Sequence, residues 1–347
     1  MRTRYSFLLL SRFFVLLFFS SFSIISLSQE TSTCAENLRS AQTLFDNGQV
    51  EQVPGMLEEC LRSGFKQEEE LTAYKLIIQT FLFQDRYGEA DSAMLAFLKK
   101  YPEYQLSPTD HSSFVYQFNC FNVKPLVQLT LHLGTTIPFL TFITPHSTSS
   151  ETLISSYSSD ALNLTGILEA TFRLKGKFDL NIEAGYMQSS FVNTEEYMDF
   201  SIITYEEIQH RLITPLSVTY NFADISKITF YGKAGAGPSF NISTTSKALF
   251  ESSSREPPKQ EIDRRDSRIG LDLFCLAGAG VKLKTPGGYF SFDVRSDFGI
   301  FNQVVRGGAS AEKLANDFFY EDDDFNINHL SITLGYTQIF FKPSKNN

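Results

Sequence analysis

From residue 125 onward, polar and apolar residues alternate with a period of two in about eight stretches, the pattern of half-buried strands. In the first, Val127, Leu129, Leu131 and Leu133 alternate with Gln128, Thr130, His132 and Gly134. Further stretches fall at about 162–173, 178–186, 207–222, 228–240, 268–284, 290–300 and 330–340. Tight turns join the second to the third at Lys175-Gly176-Lys177, the fourth to the fifth near Ala223 to Ser226, and the sixth to the seventh at Pro286-Gly287-Gly288. Longer connectors, at about 143–160, 192–206, 242–267 and 304–326, lie between the others. A water-soluble sandwich would alternate too, but regular alternation of short and long connectors is the signature of a barrel with short turns at one membrane face and long loops at the other. An even strand count brings both ends of the barrel to the short-turn side, expected in the periplasm.

The residues before the barrel have another rhythm. Leu38, Ala41, Leu44 and Phe45 are spaced as on a helix, as are Val53, Met56, Leu57, Cys60 and Leu61 after an Asn47-Gly48 turn. Two more helices are expected at about 68–85 and 88–100, the last stopped by Pro102. A shift of 38 residues lays Leu44-Phe45 on Leu82-Phe83, Glu51 on Glu89 and Met56-Leu57 on Met94-Leu95, so a helix pair is repeated. The small residues on the second helices, the turn and Pro102 resemble tetratricopeptide repeats, which implies a surface for a protein partner. The alternative is a spacer or a plug for the barrel.

The expected fold is therefore α+β and multi-domain: a small α-helical, TPR-like helix-hairpin domain followed by an antiparallel eight-stranded transmembrane β-barrel. The domains are read as 1–28 signal peptide, 29–110 periplasmic helical domain, 111–124 linker, 125–342 outer-membrane barrel and 343–347 tail. Arg2, Arg4 and Arg12 with an apolar run of roughly 15 residues mark the leader, which is short for a ~30 Å hydrocarbon core. Cleavage near Ser28 removes three Arg and no acid, taking the formal charge from −9 to −12 and arguing against nucleic acid. Thr31-Ser32-Thr33 before Cys34 lacks the features of a lipoprotein signal.

In an exported chain, Cys34 at the start of one helix and Cys60 near the end of the next would meet if the helices are antiparallel, giving a candidate disulfide. The alternative is four free thiols, since Cys120 and Cys275 have no comparable argument.

The barrel resembles outer-membrane β-barrel proteins of the Bacteroidetes type and is PorT-like. The resemblance is carried by the leader, by Lys233-Ala234-Gly235-Ala236-Gly237 and Leu276-Ala277-Gly278-Ala279-Gly280, and by the ending Leu334-Gly335-Tyr336 to Phe340-Phe341-Lys342. It implies an outer-membrane location and says nothing of activity.

The polar phase of the strands projects Glu169, Arg173, Asp179, Glu183, Lys233, Asp272, Lys282, Asp293, Arg295 and Asp297 inward as a candidate ion-pair network. Eight strands leave room only for side chains, so these charges are expected to pair and seal the lumen. Of the histidines, His111, His132, His146, His210 and His329, two (His146 and His329) are read as rim residues, and no spacing links one to an acid and a nucleophile. The run Glu321-Asp322-Asp323-Asp324 lacks the spaced acids of a calcium loop and is read as solvated, as is the mixed-charge segment Arg255 to Lys259 with Asp263 to Asp266.

No catalytic, metal or cofactor residue is expected. The preferred function is a non-enzymatic outer-membrane barrel, bound to outer-membrane lipid, that anchors a helical protein-interaction domain within an export or surface-assembly system. The alternatives are a small transporter or channel plugged by the helices and, third, an outer-membrane enzyme.

Overall fold

In the computed structural model, the described residues are 30–144, 153–159, 163–197, 201–252, 260–318 and 320–346; the leader, His146 and the segment from Arg255 to Lys259 lie outside them. They form two units, one ending at Asn122 and joined by the chain end from Pro343, the other spanning Val123–Lys342.

The helical unit contains α1 (Glu30–Asp46), a 3-10 turn (Val50–Gln52), α2 (Val53–Arg62), α3 (Gln67–Phe83), α4 (Tyr87–Lys100) and α5 (Ser112–Asn119). Its core is Ala41, Val53, Leu57, Ala73, Leu76 and Ile77, the residues that helical spacing places on one face of each helix. The two hairpins close alike. The Gln49 amide donates to the Leu44 carbonyl at 2.8 Å and the Arg86 amide to the Phe81 carbonyl at 2.9 Å, each next to a residue with positive φ, Gly48 (78°) and Asp85 (56°). Cys34 and Cys60 form a disulfide between α1 and α2, with 5.6 Å between their Cα atoms. Closing a loop of 26 residues is worth about 3.5 kcal/mol by the chain-entropy relation. Replacing both cysteines by serine should therefore lower the unfolding free energy by that order, read from the loss of helical circular dichroism in urea.

The segment read as a linker at 111–124 is mostly structured. His111 caps α5 by accepting from the Ser113 amide, and Phe114 and Phe118, one turn apart, join an aromatic cluster with Phe97 and Tyr104. Beside it, Lys75 pairs with Asp110 at 2.6 Å. Burial alone would raise the Asp110 carboxyl, but Lys75, Tyr104 and the Ser107 amide outweigh it and hold it below the usual carboxylate range.

The second unit is one sheet of β1 (Phe121–Thr144), β2 (Leu153–Ser158), β3 (Asn163–Arg173), β4 (Phe178–Tyr197), β5 (Ser201–Ile213), β6 (Leu216–Ile225), β7 (Ile228–Ser252), β8 (Gln260–Asp263), β9 (Leu271–Thr285), β10 (Gly288–Gly299) and β11 (Asp324–Lys345). The order β4-β3-β1-β11-β10-β9-β7 closes on itself because β5 and β6 both bridge β7 and β4. The ring is thus eight antiparallel staves, with β5 and β6 as one stave, while β2 adds to β4 and β8 to β7.

The fourth stretch, expected as one run over 207–222, is interrupted at Thr214-Pro215, where proline offers no N–H to the ladder. Its alternation continues across the break, since Leu212 and Leu216 both face outward. The connectors expected over 192–206 and 242–267 are largely strand. Pairing of β4 with β5 runs out to Tyr197 opposite Ser201, and β7 stays paired to Ser252 opposite Ser201. The connector after β10 contains a helix, α6 (Ala309–Phe318). These extensions form a cap at the end of the barrel opposite the three tight turns.

No described helix is long and apolar enough to cross a membrane, which says nothing of the strands.

Candidate functional site

Within the barrel the inward phase of each strand is polar, and long charged side chains meet across the lumen. Lys233 pairs with Glu169 and reaches Glu183 at 3.2 Å. Arg295 completes the chain, donating to Glu183 at 2.7 Å and lying 2.9 Å from Asp297. Toward the tight turns, Asp179 lies 2.7 Å from Arg173 and 3.8 Å from Lys282, and accepts from Asn221 at 2.8 Å. Toward the cap, Asp272 is 3.8 Å from Arg211 and accepts from Gln303 at 2.9 Å. Nine of the ten residues read as inward-facing from the sequence occupy this interior, in three neighbouring groups; the tenth, Arg173, lies at the tight-turn rim with its side chain 44% exposed.

Alternation alone did not identify the groups that complete the network. The ring nitrogens of His132 lie 3.7 Å from a Glu169 oxygen and 3.4 Å from an Asp293 oxygen. Tyr231 donates to Asp293, and the fully buried Arg211 donates to Gln209 and Gln303. His132, Tyr231 and Arg211 all lie on the polar phase of their stretches, Arg211 opposite Leu212, so that signal was present. His329, expected at the rim, is instead buried inside, with Nε2 2.7 Å from the Ser189 hydroxyl. Two inward glycines make room for these groups. A Cβ on Gly335 would lie 2.7 Å from His132 Nδ1, and one on Gly280 would lie 2.6 Å from the Tyr231 hydroxyl.

Two cavities border this network, and both are small. A cavity of about 20 Å³ borders His132, Glu183, Lys233 and Arg295, and one of about 10 Å³ borders Arg211, Asp272, Asp297 and His329. Each has room for roughly one water molecule.

Above the lumen the inward phase turns apolar. Phe191, Ile203, Tyr205 and Ala248 from the strand extensions pack with Leu314 and Phe318 of α6 and with Tyr320, Phe325 and Ile327. Tyr205 stacks on Tyr320 with centroids 4.2 Å apart. Beneath this core, Arg268 lies 2.6 Å from Glu207 and 2.7 Å from Asp322, and Asp322 also takes Arg264. The acidic run read as solvated is therefore partly interior: Asp322 is 7% exposed because two buried guanidiniums require a counter-ion. The segment from Asp263 to Asp266 is likewise divided. Arg264 is wholly buried, whereas Arg265 and Asp263 are exposed and pair with each other at 2.6 Å.

The outer surface carries the opposite chemistry. Leu131, Leu133, Leu164, Leu168, Leu271, Phe290, Phe292 and Leu334 are each more than a third exposed, as are many of their outward neighbours. Apolar side chains outside and charges inside invert a water-soluble fold and match a lipid-facing barrel. The family model for "Outer membrane protein beta-barrel domain" matches residues 117–304. The chain belongs to this family. The match ends before β11, which closes the outer membrane barrel against β1 and β10.

No curated sequence matches the chain. Among solved structures, it is similar to Neisserial surface protein A (11% identity, 63% of this chain and 99% of that one, TM-score 0.29). It is also similar to the N-terminal barrel domain of OprF from Pseudomonas aeruginosa (11%, 62% and 99%, TM-score 0.25). A third such structure is the outer membrane protease OmpT of Escherichia coli (11%, 63% and 98%, TM-score 0.34). None of their activities is carried over to this outer membrane barrel.

Proposed function

We propose that this protein is a sealed, non-enzymatic anchor in the outer membrane that presents its helical unit to a protein partner in the periplasm. The observation that carries the reading is the filled lumen: paired charges occupy the interior, an apolar core covers one end, and the cavities bordering the lumen network are water-sized. A buried ion-pair lattice costs desolvation that a freely conducting pore would avoid by keeping its charges hydrated. The barrel fills its own interior with side chains, so the reading of a channel stoppered by helices is the weaker one. Purified protein in planar bilayers should give no steady current between ±100 mV, and a stable single-channel conductance would sink the anchor reading.

Three features support the side and the role assigned to the helices. Strand register brings both barrel ends to the tight-turn side, which faces the periplasm in barrels of this kind. The Cys34–Cys60 disulfide suits an oxidising compartment. Residues 30 to 122 carry fourteen Asp and Glu against seven Lys and Arg, a formal charge of −7, so a partner with a basic surface fits best. Two hairpins with the same closing turn, TPR-like in sequence, suit protein docking, and the PorT-like barrel suggests an export or surface-assembly system. The test is crosslinking in intact cells with the full chain and with residues 30 to 119 deleted. The deletion extends through α5 because Phe114 and Phe118 belong to the helical core. The deletion should lose periplasmic crosslinks while the barrel still assembles; an unchanged crosslink pattern would overturn the docking role.

A further inference from the structure

The two ends of the barrel carry opposite charge. At the tight-turn end, Lys175 and Lys177 lie on the turn between β3 and β4, Lys227 on that between β6 and β7, and Lys284 at the end of β9. Lys124 near the start of β1 and Lys342 near the end of β11 reach the same rim. All six are exposed, and among the described residues of these turns and strand ends the exposed acid is Asp224. At the cap the sign reverses, with exposed Glu251, Glu261, Glu312, Asp317 and Glu321 outnumbering exposed Arg265 and Arg306.

The basic rim is open to a ligand. Arg173 is held by Asp179 at 2.7 Å, but Lys124, Lys175, Lys227 and Lys342 have no carboxylate partner among the described residues. The Lys284 amide donates to the Lys227 carbonyl at 2.8 Å, which sets two like charges side by side, and an anion shared between them offsets their repulsion.

The position of the lysines selects the kind of anion. In the ring order β4, β3, β1, β11, β10, β9, β7 and β6 they stand on every side of the barrel. A bilayer surrounds a barrel in that way, whereas a docked protein meets one side or the end face. On the outward surface at this level, Phe178 packs on Tyr220 with centroids 4.9 Å apart and Phe290 on Tyr336 at 5.1 Å, all four more than a third exposed. Such an aromatic girdle marks headgroup depth. Lys177 is the neighbour of Phe178, and Lys284 lies opposite Tyr289 on the ladder, so these cations stand at the level of lipid phosphates.

We propose that the tight-turn rim binds the phosphates of anionic glycerophospholipid, whose acyl chains lie along the apolar outer face. Each lysine near a membrane surface strengthens such binding by about fivefold. The contact belongs to the barrel unit alone; its assignment to the periplasmic leaflet rests on the placement of the tight turns proposed above.

The test is electron spin resonance of the full chain in phosphatidylcholine vesicles containing spin-labelled phosphatidylglycerol or, separately, spin-labelled phosphatidylcholine. Phosphatidylglycerol should associate with the protein about threefold or more over phosphatidylcholine at low salt. In about 1 M salt, where charges are screened within about 3 Å, that preference should vanish. Lys175→Gln, Lys177→Gln, Lys227→Gln and Lys284→Gln together should abolish it as well, whereas Arg265→Gln with Arg306→Gln at the cap should leave it unchanged. Equal association of the two lipids with the parent chain, or a preference kept by the fourfold variant, would overturn the proposal. A kept preference together with loss of a crosslinked protein in intact cells would reassign the rim to an acidic protein partner. Stronger association of spin-labelled lipid A than of phosphatidylglycerol would overturn the glycerophospholipid source. Labelling of Lys175→Cys by an impermeant maleimide in intact cells would overturn the leaflet, and with it the placement of the turns, while leaving the vesicle result standing.

Discussion

Replacing Arg268 by methionine is expected to be the most damaging single substitution in the barrel unit. The guanidinium is buried and lies 2.6 Å from Glu207, 2.7 Å from Asp322 and 3.2 Å from the Tyr205 hydroxyl. Methionine would fill much of the volume but leave one buried carboxylate with no cation and a second with only Arg264. Removing one partner of a buried pair costs about 3–5 kcal/mol, and here one acid is orphaned while a second loses one of its two cations, so the loss should reach the top of that range. Urea unfolding in detergent micelles, followed by tryptic cleavage of the cap, measures it. The double variant Arg268→Met with Glu207→Leu should recover more than half of the loss, since it removes the charge left behind. A single-variant loss below about 1 kcal/mol would show that the cap is hydrated and would remove the case for a dry, sealed end.

Glu183→Leu should be the next most costly. Its carboxylate accepts from Arg295 at 2.7 Å, Lys233 at 3.2 Å and Ser217 at 3.0 Å, and so ties its own stave to three others. Lys233 keeps Glu169 and Arg295 keeps Asp297, so neither cation is wholly stranded, yet the interior gains an uncompensated positive charge. A loss of about 3 kcal/mol is expected, with Glu183→Gln losing roughly half of that because its amide oxygen still accepts. The same variants report on sealing. If the lumen is closed by packing as well as by charge, Glu183→Leu should remain non-conducting in planar bilayers although it is less stable. A steady current would mean that this one carboxylate holds the barrier.

Much of the architecture was written in local patterns. Leu129, Leu131 and Leu133 against Gln128, Thr130 and His132 already stated which face meets lipid, and the three tight turns stated which staves are neighbours. Nine inward charges were readable for the same reason. Helical spacing likewise marked Ala41, Val53 and Leu57 as core, and helix order brought Cys34 and Cys60 together.

The strand extensions were hidden because beyond the lipid band both faces change: Phe191, Ile203 and Tyr205 turn inward where polar residues stood lower down, so alternation keeps its period but loses its sign. The acidic run was misread because a buried counter-ion and a solvated acid look alike in sequence. Asp322 is interior only because Arg264 and Arg268, more than fifty residues earlier, are placed beneath it.

By itself, the sequence determined the two-unit order, the barrel, its lipid-facing side and many of its interior charges, since each follows from the period of a strand or helix and from which solvent its face meets. Only the tertiary structure decided which charge meets which, that Ser189 and His329, 140 residues apart, touch inside the barrel, and that the cap holds a pocket. Those contacts depend on how the ring closes and how its staves are staggered, and no local period encodes a distance across a barrel.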